Sequence, residues 1–287
     1  MSLDFNKVAV LGGGLLGGSL AMALSIRERG PSVSLWSRRE ETTARALERG
    51  IPGATSDLAE AIAGADLIVL AVPVGAMPDL VRRCLEAGLT AQTLVTDVGS
   101  VKGMVHATLE PLLEGGGISF IGSHPMAGSE QGGIEAASAD LFERAACLLT
   151  DDGGAAPDLR EKLEEFWKSC GCHTHWMSSA SHDDLVARIS HLPHVLAAVG
   201  AEVALGQPDD GRFGGGGLRD TTRVAGGDPS MWAEILIENR RALAAPLQEA
   251  LASLREMLAS LEAGDHEAIR QWLVLAKTRR DALAPNR

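Results

Sequence analysis

Apolar and polar positions divide the chain into two regimes. Through residue 178, short apolar runs at residues 7–11, 33–36, 67–71, 93–96, 118–121, 145–149 and 172–177 read as strands. Stretches of helical period lie between most of them, including residues 18–29, 57–63, 77–87 and 158–169. Strands alternating with helices predict an α/β domain, residues 1–178, built on a doubly wound, mostly parallel sheet. From residue 179 to 287 the strand period is gone and an all-α domain is expected. Ser181 and Asp184 have the spacing of a capping box. The helix they open carries His191, Pro193 and His194, and the proline should kink it. Residues 211–227, G-R-F-G-G-G-G-L-R-D-T-T-R-V-A-G-G, read as a flexible loop between helices. Asp228 then caps a helix with Pro229 at its first position. Leu243, Leu247, Leu251, Leu254, Leu258 and Leu261 recur at heptad-like spacing. Too few residues remain to bury that seam, so it is expected in a helical homodimer interface.

Composition narrows the partners. The net charge of -12 argues against nucleic acid and anionic membranes. No apolar run approaches the roughly 20 residues that span a bilayer, and the first residues lack a signal-peptide pattern. Cys84, Cys147, Cys170 and Cys172 form no C-x-x-C pair, which suits reduced thiols. A cytoplasmic protein is expected. In so acidic a chain, Arg212, Arg219 and Arg223 mark the 211–227 loop as an anion site.

The chemistry begins directly after the first strand. Gly12, Gly14 and Gly17, with Leu15 and Leu16 between the last two, form G-x-G-x-x-G opening a helix. This is a dinucleotide-binding pattern: a tight turn, close approach to the pyrophosphate, and helix packed on strand. The second strand ends in Ser37-Arg38-Arg39 where an acidic residue would hold a ribose 2′-hydroxyl. Serine and arginine can instead hold a 2′-phosphate, so NADP is favoured over NAD. Residues 122–133, G-S-H-P-M-A-G-S-E-Q-G-G, follow the 118–121 run and bring His124, Ser129 and Glu130 to a sheet edge. Thr96-Asp97-Val98-Gly99-Ser100 delivers Ser100 to the same edge. Beside a dinucleotide site, His124 is the candidate group to accept a proton during hydride transfer. His191 and His194 lack a zinc-ligand pattern, and no metal is expected.

Together G-G-G-L-L-G-G-S, T-D-V-G-S-V-K-G, G-S-H-P-M-A-G-S-E, H-D-D-L-V-A-R-I-S-H-L-P-H and G-G-G-L-R-D-T-T-R-V-A resemble the prephenate/arogenate dehydrogenase family of tyrosine biosynthesis. The resemblance spans nearly the whole chain. It implies a Rossmann-type domain followed by a helical dimerisation domain, and NAD(P)-dependent oxidative decarboxylation of prephenate, with arogenate as the alternative substrate. It also implies that His124 is the catalytic histidine and that Ser100 binds the substrate hydroxyl and orients His124. Arg223 matches a carboxylate-binding arginine, and His194 a second active-site histidine. Ser129, Glu130 and Asp220 fall on positions that line or gate the pocket. Ser37-Arg38 departs from the NAD-dependent members. Two other classes share the first domain: a 3-hydroxyacid or ketopantoate-type dehydrogenase, which needs a catalytic lysine where His191 and His194 stand, and a dinucleotide sensor, which needs none of these side chains.

Overall fold

The computed structural model describes residues 5–129, 131–207 and 209–283. They divide into two compact units at Asn239/Arg240. The first opens with β1 (Lys7–Leu11), α1 (Leu15–Ser25), β2 (Ser32–Trp36), α2 (Glu40–Glu48), β3 (Ala54–Thr55), α3 (Leu58–Ile62), β4 (Leu67–Leu70), α4 (Met77–Glu86), β5 (Leu94–Asp97) and α5 (Gly103–Glu114). The five strands make a parallel sheet in the order β3-β2-β1-β4-β5. Val8 and Val10 enter one core and Ala9 and Leu11 the other, and Leu67/Val69 and Ile68/Leu70 divide the same way. Burial on both faces explains why these strands read as continuous apolar runs.

The chain continues as β6 (Gly122–Pro125), β7 (Ala146–Thr150), α6 (Pro157–Ser169), β8 (His173–Met177), α7 (Ser179–Val186), α8 (Leu192–Ala204), α9 (Gly216–Thr222) and α10 (Pro229–Glu238). β6, β7 and β8 form a second sheet in which β6–β7 is antiparallel and β7–β8 parallel. The expected strand at 118–121 is therefore displaced. Only Phe120 bridges to Val95, and the ladder begins at Gly122, where the edge of β7 offers partners. His124 consequently lies inside a strand and not in the loop after one.

The helical region departs from the sequence pattern at three points. Ser178, not Ser181, caps α7, its hydroxyl accepting from the Ser181 amide at 3.1 Å. The helix that carries Pro193 is not α-helical throughout. A π-helical turn, Ala187–His191, precedes Pro193, and the proline occupies the first turn of α8. A proline lacks the N–H and crowds the carbonyl four residues back, so the strain is taken up by the wider turn. Finally, residues 211–227 are not an open loop but 3₁₀ turns flanking α9, with Thr222 Oγ1 donating to the Leu218 carbonyl at 2.7 Å. Asp228 does cap α10, accepting from the Met231 amide.

The second unit is a helical pair, α11 (Arg240–Glu262) and α12 (His266–Asp281), joined through Trp272 Nε1 donating to Ser253 Oγ at 2.8 Å. Leu243 is buried, whereas Leu251, Leu254, Leu258 and Leu261 are 45–58% exposed. All four cysteines are buried free thiols. Among the described residues no helix is long and apolar enough to cross a membrane.

Candidate active site

Gly12, Gly13 and Gly14 reverse the chain between β1 and α1. Gly12 has φ +132°, and a side chain there would meet the Ala71 carbonyl oxygen at 2.1 Å. A side chain at Gly17 would lie 1.9 Å from the Gly12 carbonyl oxygen, so only glycine fits either position. At Gly14 nothing lies within 4 Å. That open space faces the start of α1, where Leu15 and Leu16 supply amides at the positive end of the helix. A cleft of about 990 Å³ opens here, bounded by the glycine turn, residues 71–73 and the end of β2. Ser37 is buried at that end, with Arg38 and Arg39 exposed on the cleft wall. Glu41 and Glu135 lie along the same wall. Free helix amides, room at Gly14 and two exposed guanidinium groups fit a dinucleotide.

A second group of side chains gathers at the C-terminal end of β5. His124 is 8% exposed, and its Nδ1 lies 2.8 Å from His182 Nε2 on α7. His182 Nδ1 lies 2.8 Å from Asp183 Oδ1. Asp183 also accepts from the Lys102 and Gly103 amides at 2.8 and 2.9 Å, at the start of α5. Lys102 and Asp97, both fully buried, form an ion pair, and Asp97 further accepts from the Gly99 and Ser123 amides. Ser123 Oγ in turn bonds Thr96 and accepts from Trp167 Nε1. Every polar group next to His124 in β6 is thereby fixed by a partner. Burial, with His182, Lys102 and His191 nearby, holds the His124 imidazole well below its ordinary range. The ring is neutral at neutral pH.

The remaining predicted residues are distributed around this cluster. Ser100 is half-buried in the turn between β5 and α5, three residues beyond Asp97. His194, on α8, stacks on Trp232 of α10 and hydrogen-bonds the Val224 backbone. That bond ties it to the 3₁₀ turn containing Arg223, which is exposed. Asp220 is exposed on α9. Ser129 is exposed and closes a local turn, bonded to both the amide and the carbonyl of Gln131. Glu130 lies outside the described residues. His191 accepts from Asn239 Nδ2 at 3.0 Å, and the same amide group donates to the Asp183 carbonyl.

Sequence reasoning missed His182, Asp183, Asn239 and Trp232. The first two stand in the H-D-D that opens one of the family-resembling motifs, where the sequence assigns them no role. A buried histidine beside a carboxylate carries no periodic signal, and its partner lies 58 residues away.

The chain matches two family models in succession: "Prephenate dehydrogenase, nucleotide-binding domain" over residues 22–176 and "Prephenate dehydrogenase, dimerization domain" over residues 178–275. It is 34% identical to a cyclohexadienyl dehydrogenase of Zymomonas mobilis, covering 91% of this chain and 90% of that one. It superposes on the crystal structure of prephenate dehydrogenase from Aquifex aeolicus, in complex with hydroxyphenyl propionate and NAD+, with a TM-score of 0.89. The identity is 28%, covering 99% of this chain and 100% of that one. Against a Synechocystis arogenate dehydrogenase the TM-score is 0.80 and the identity 30%, covering 97% and 100%. A glycine turn opening onto a cleft, a buried neutral histidine at the neighbouring sheet end, and matches over both halves of the chain lead to one conclusion: this protein belongs to the prephenate dehydrogenase family.

Proposed function

We propose that the protein oxidises and decarboxylates prephenate to 4-hydroxyphenylpyruvate with a nicotinamide dinucleotide, and that His124 is its general base. The observation that carries this reading is the neutral, buried His124, held at Nδ1 by His182 so that Nε2 is left for a substrate proton. Bound in the glycine-lined cleft, the nicotinamide supplies one thing, acceptance of a hydride from the carbinol carbon. His124 Nε2 takes the hydroxyl proton as that hydride departs. The bond to the ring carboxylate then breaks, its electron pair aromatises the ring, and carbon dioxide leaves. The proton on His124 returns to the phenolate oxygen.

In this reading Ser100 holds the substrate hydroxyl and Arg223 grips a carboxylate with its planar fork. His194 lines the site beside Arg223, while Ser129, Glu130 and Asp220 border the pocket. The functional boundary falls near residue 178, so that α7 to α10 complete a site begun by the nucleotide-binding half. Ser37, Arg38 and Arg39 favour NADP over NAD, because Ser37 stands where a carboxylate would repel a 2′-phosphate and the two arginines can attract one. The exposed leucines of α11 form a homodimer interface, in keeping with a model named for dimerisation. Arogenate, which differs from prephenate only by an amino for a keto group on the side chain, is the alternative substrate.

Turnover of prephenate and of arogenate, each with NADP+ and NAD+, followed by absorbance of the reduced nicotinamide, tests the reading. Prephenate with NADP+ is expected to give the highest kcat/KM. Reduction of neither cofactor with either substrate would overturn it.

A further inference from the structure

We propose that His182 is a positioning residue: set between Asp183 and His124, it fixes the base as the Nδ1–H tautomer and so leaves Nε2 as the proton acceptor. This rests on the reading of His124 as the base.

The argument starts at Asp183. Its carboxylate receives the Lys102 and Gly103 amides at the N-terminus of α5, a twelve-residue helix. Free amides and the positive end of a helix both favour an ionised carboxylate. Burial opposes ionisation, but the hydrogen bonds from His182 and these two amides hold Asp183 below its ordinary range. An ionised carboxylate can only accept. His182 Nδ1, 2.8 Å from Asp183 Oδ1, must therefore carry a proton. In a neutral His182 the other nitrogen, Nε2, then bears a lone pair. The proton in the 2.8 Å contact between the two imidazoles consequently belongs to His124 Nδ1. A neutral ring holding its proton at Nδ1 has its lone pair at Nε2.

Only a doubly protonated His182 would break this sequence, by donating to His124 Nδ1 and forcing the proton onto Nε2. His182 is 0% exposed, and the charged and titratable groups facing it are Asp183, Lys102, Asp97, His124 and His191. Burial, and the Lys102 ammonium with it, oppose a second positive charge there, and the ring is held below its ordinary range despite Asp183. Relay through a second imidazole places the anion one ring further from the base than in a serine-protease triad, while the tautomeric logic is the same. When His124 becomes positive during the reaction, its Nδ1–H bond to His182 strengthens, which favours the transition state over the ground state.

The test combines tautomer and kinetics in the full-length enzyme. ¹⁵N-labelled histidines are assigned with a His124→Asn variant. At about pH 7.5, His124 should show a pyrrole-type Nδ1 and a pyridine-type Nε2. Asp183→Leu removes the Oδ1 that His182 Nδ1 and the Lys102 amide share, so nothing holds the His182 proton at Nδ1. It should let His124 populate the Nε2–H tautomer and lower kcat by more than about tenfold with KM little changed. His182→Gln can still offer an accepting oxygen, so it should keep the tautomer and retain kcat within about tenfold, whereas His182→Leu should not. A protonated Nε2 in the unmutated enzyme would overturn the proposal. So would an Asp183→Leu enzyme whose kcat is unchanged, or whose loss appears only in KM or melting temperature. Absence of prephenate turnover in the unmutated enzyme would sink the substrate assignment, yet the tautomer measurement would still decide this inference.

Discussion

His194 lies flat on Trp232, ring centroids 3.5 Å apart and planes within 10°, while His191 meets the same indole edge-on at 6.2 Å. One side chain of α10 thus covers two histidines that flank the start of α8. Burial lowers both, His191 to about 4. His124 and His182, buried at the neighbouring sheet end, are lowered as well. The folded protein therefore holds a set of neutral imidazoles that the unfolded chain would protonate near 6.5.

Stability should follow from that difference. Above about pH 6.5 both states bind few protons at these rings and stability is full. As pH falls from 6.5 toward about 4 the unfolded chain gains protons first, and stability declines. His191 alone contributes a loss on the order of 3 kcal/mol once both states are titrated. Urea midpoints compared at about pH 7.5 and pH 5 check this, and midpoints that do not move would contradict it.

Catalysis and binding should separate between His124 and Arg223. His124→Asn is expected to lower kcat by roughly 100- to 10,000-fold, the usual worth of a general base, with little change in KM. Arg223→Ala should mainly raise KM, at a cost of about 2–5 kcal/mol if its partner carboxylate is desolvated. Because the His124 imidazole is held low, kcat should fall only below pH 6.5, later than for an ordinary histidine. Near-normal turnover in His124→Asn would remove it from the mechanism.

Cofactor choice rests on the end of β2. Arg38→Ala should weaken NADP much more than NAD, since only the former carries the phosphate the guanidinium can hold. Binding titrations of both cofactors read this directly. Equal losses for the two would place Arg38 outside the 2′-phosphate site.

Two glycines of one turn should behave oppositely. Gly12→Ala puts a side chain onto the Ala71 carbonyl at a φ of +132°, with a backbone cost alone of about 1–3 kcal/mol, and should lower the melting temperature. Gly14→Ala meets nothing in the protein, so it should melt normally and lose cofactor affinity. Unaltered affinity in a normally folded Gly14→Ala would argue that the pyrophosphate binds elsewhere.

Assembly can be read from mass. The exposed Leu254 and Leu258 of α11 should be covered in a two-fold dimer, and replacing both with glutamate should yield monomers. Light scattering at micromolar concentration distinguishes the states, and a monomeric unmutated protein would exclude the interface.

What the sequence by itself determined is whatever depends on neighbours in the chain. Strands β1 and β4 and the helices packed on them were legible because burial on both sheet faces demands unbroken apolar runs. The glycine turn was legible because each of its positions has a local steric reason. Asp228 and Pro229 announced α10 for the same kind of reason. The tertiary structure decided what depends on distant partners. The 118–121 run is as apolar as a strand and touches β5 at Val95, yet the continuous ladder began only at Gly122 because the edge of β7 was there to receive it. Residues 211–227, rich in glycine, folded into short helical turns because they pack along α8. Asp183, to which the sequence assigns no role, was drawn to the amides of Lys102 and Gly103, 81 and 80 residues away. His124 could be picked out as a base from its motif. Its tautomer, and with it the nitrogen that can accept a proton, was set by a histidine and a carboxylate that only folding brings alongside it.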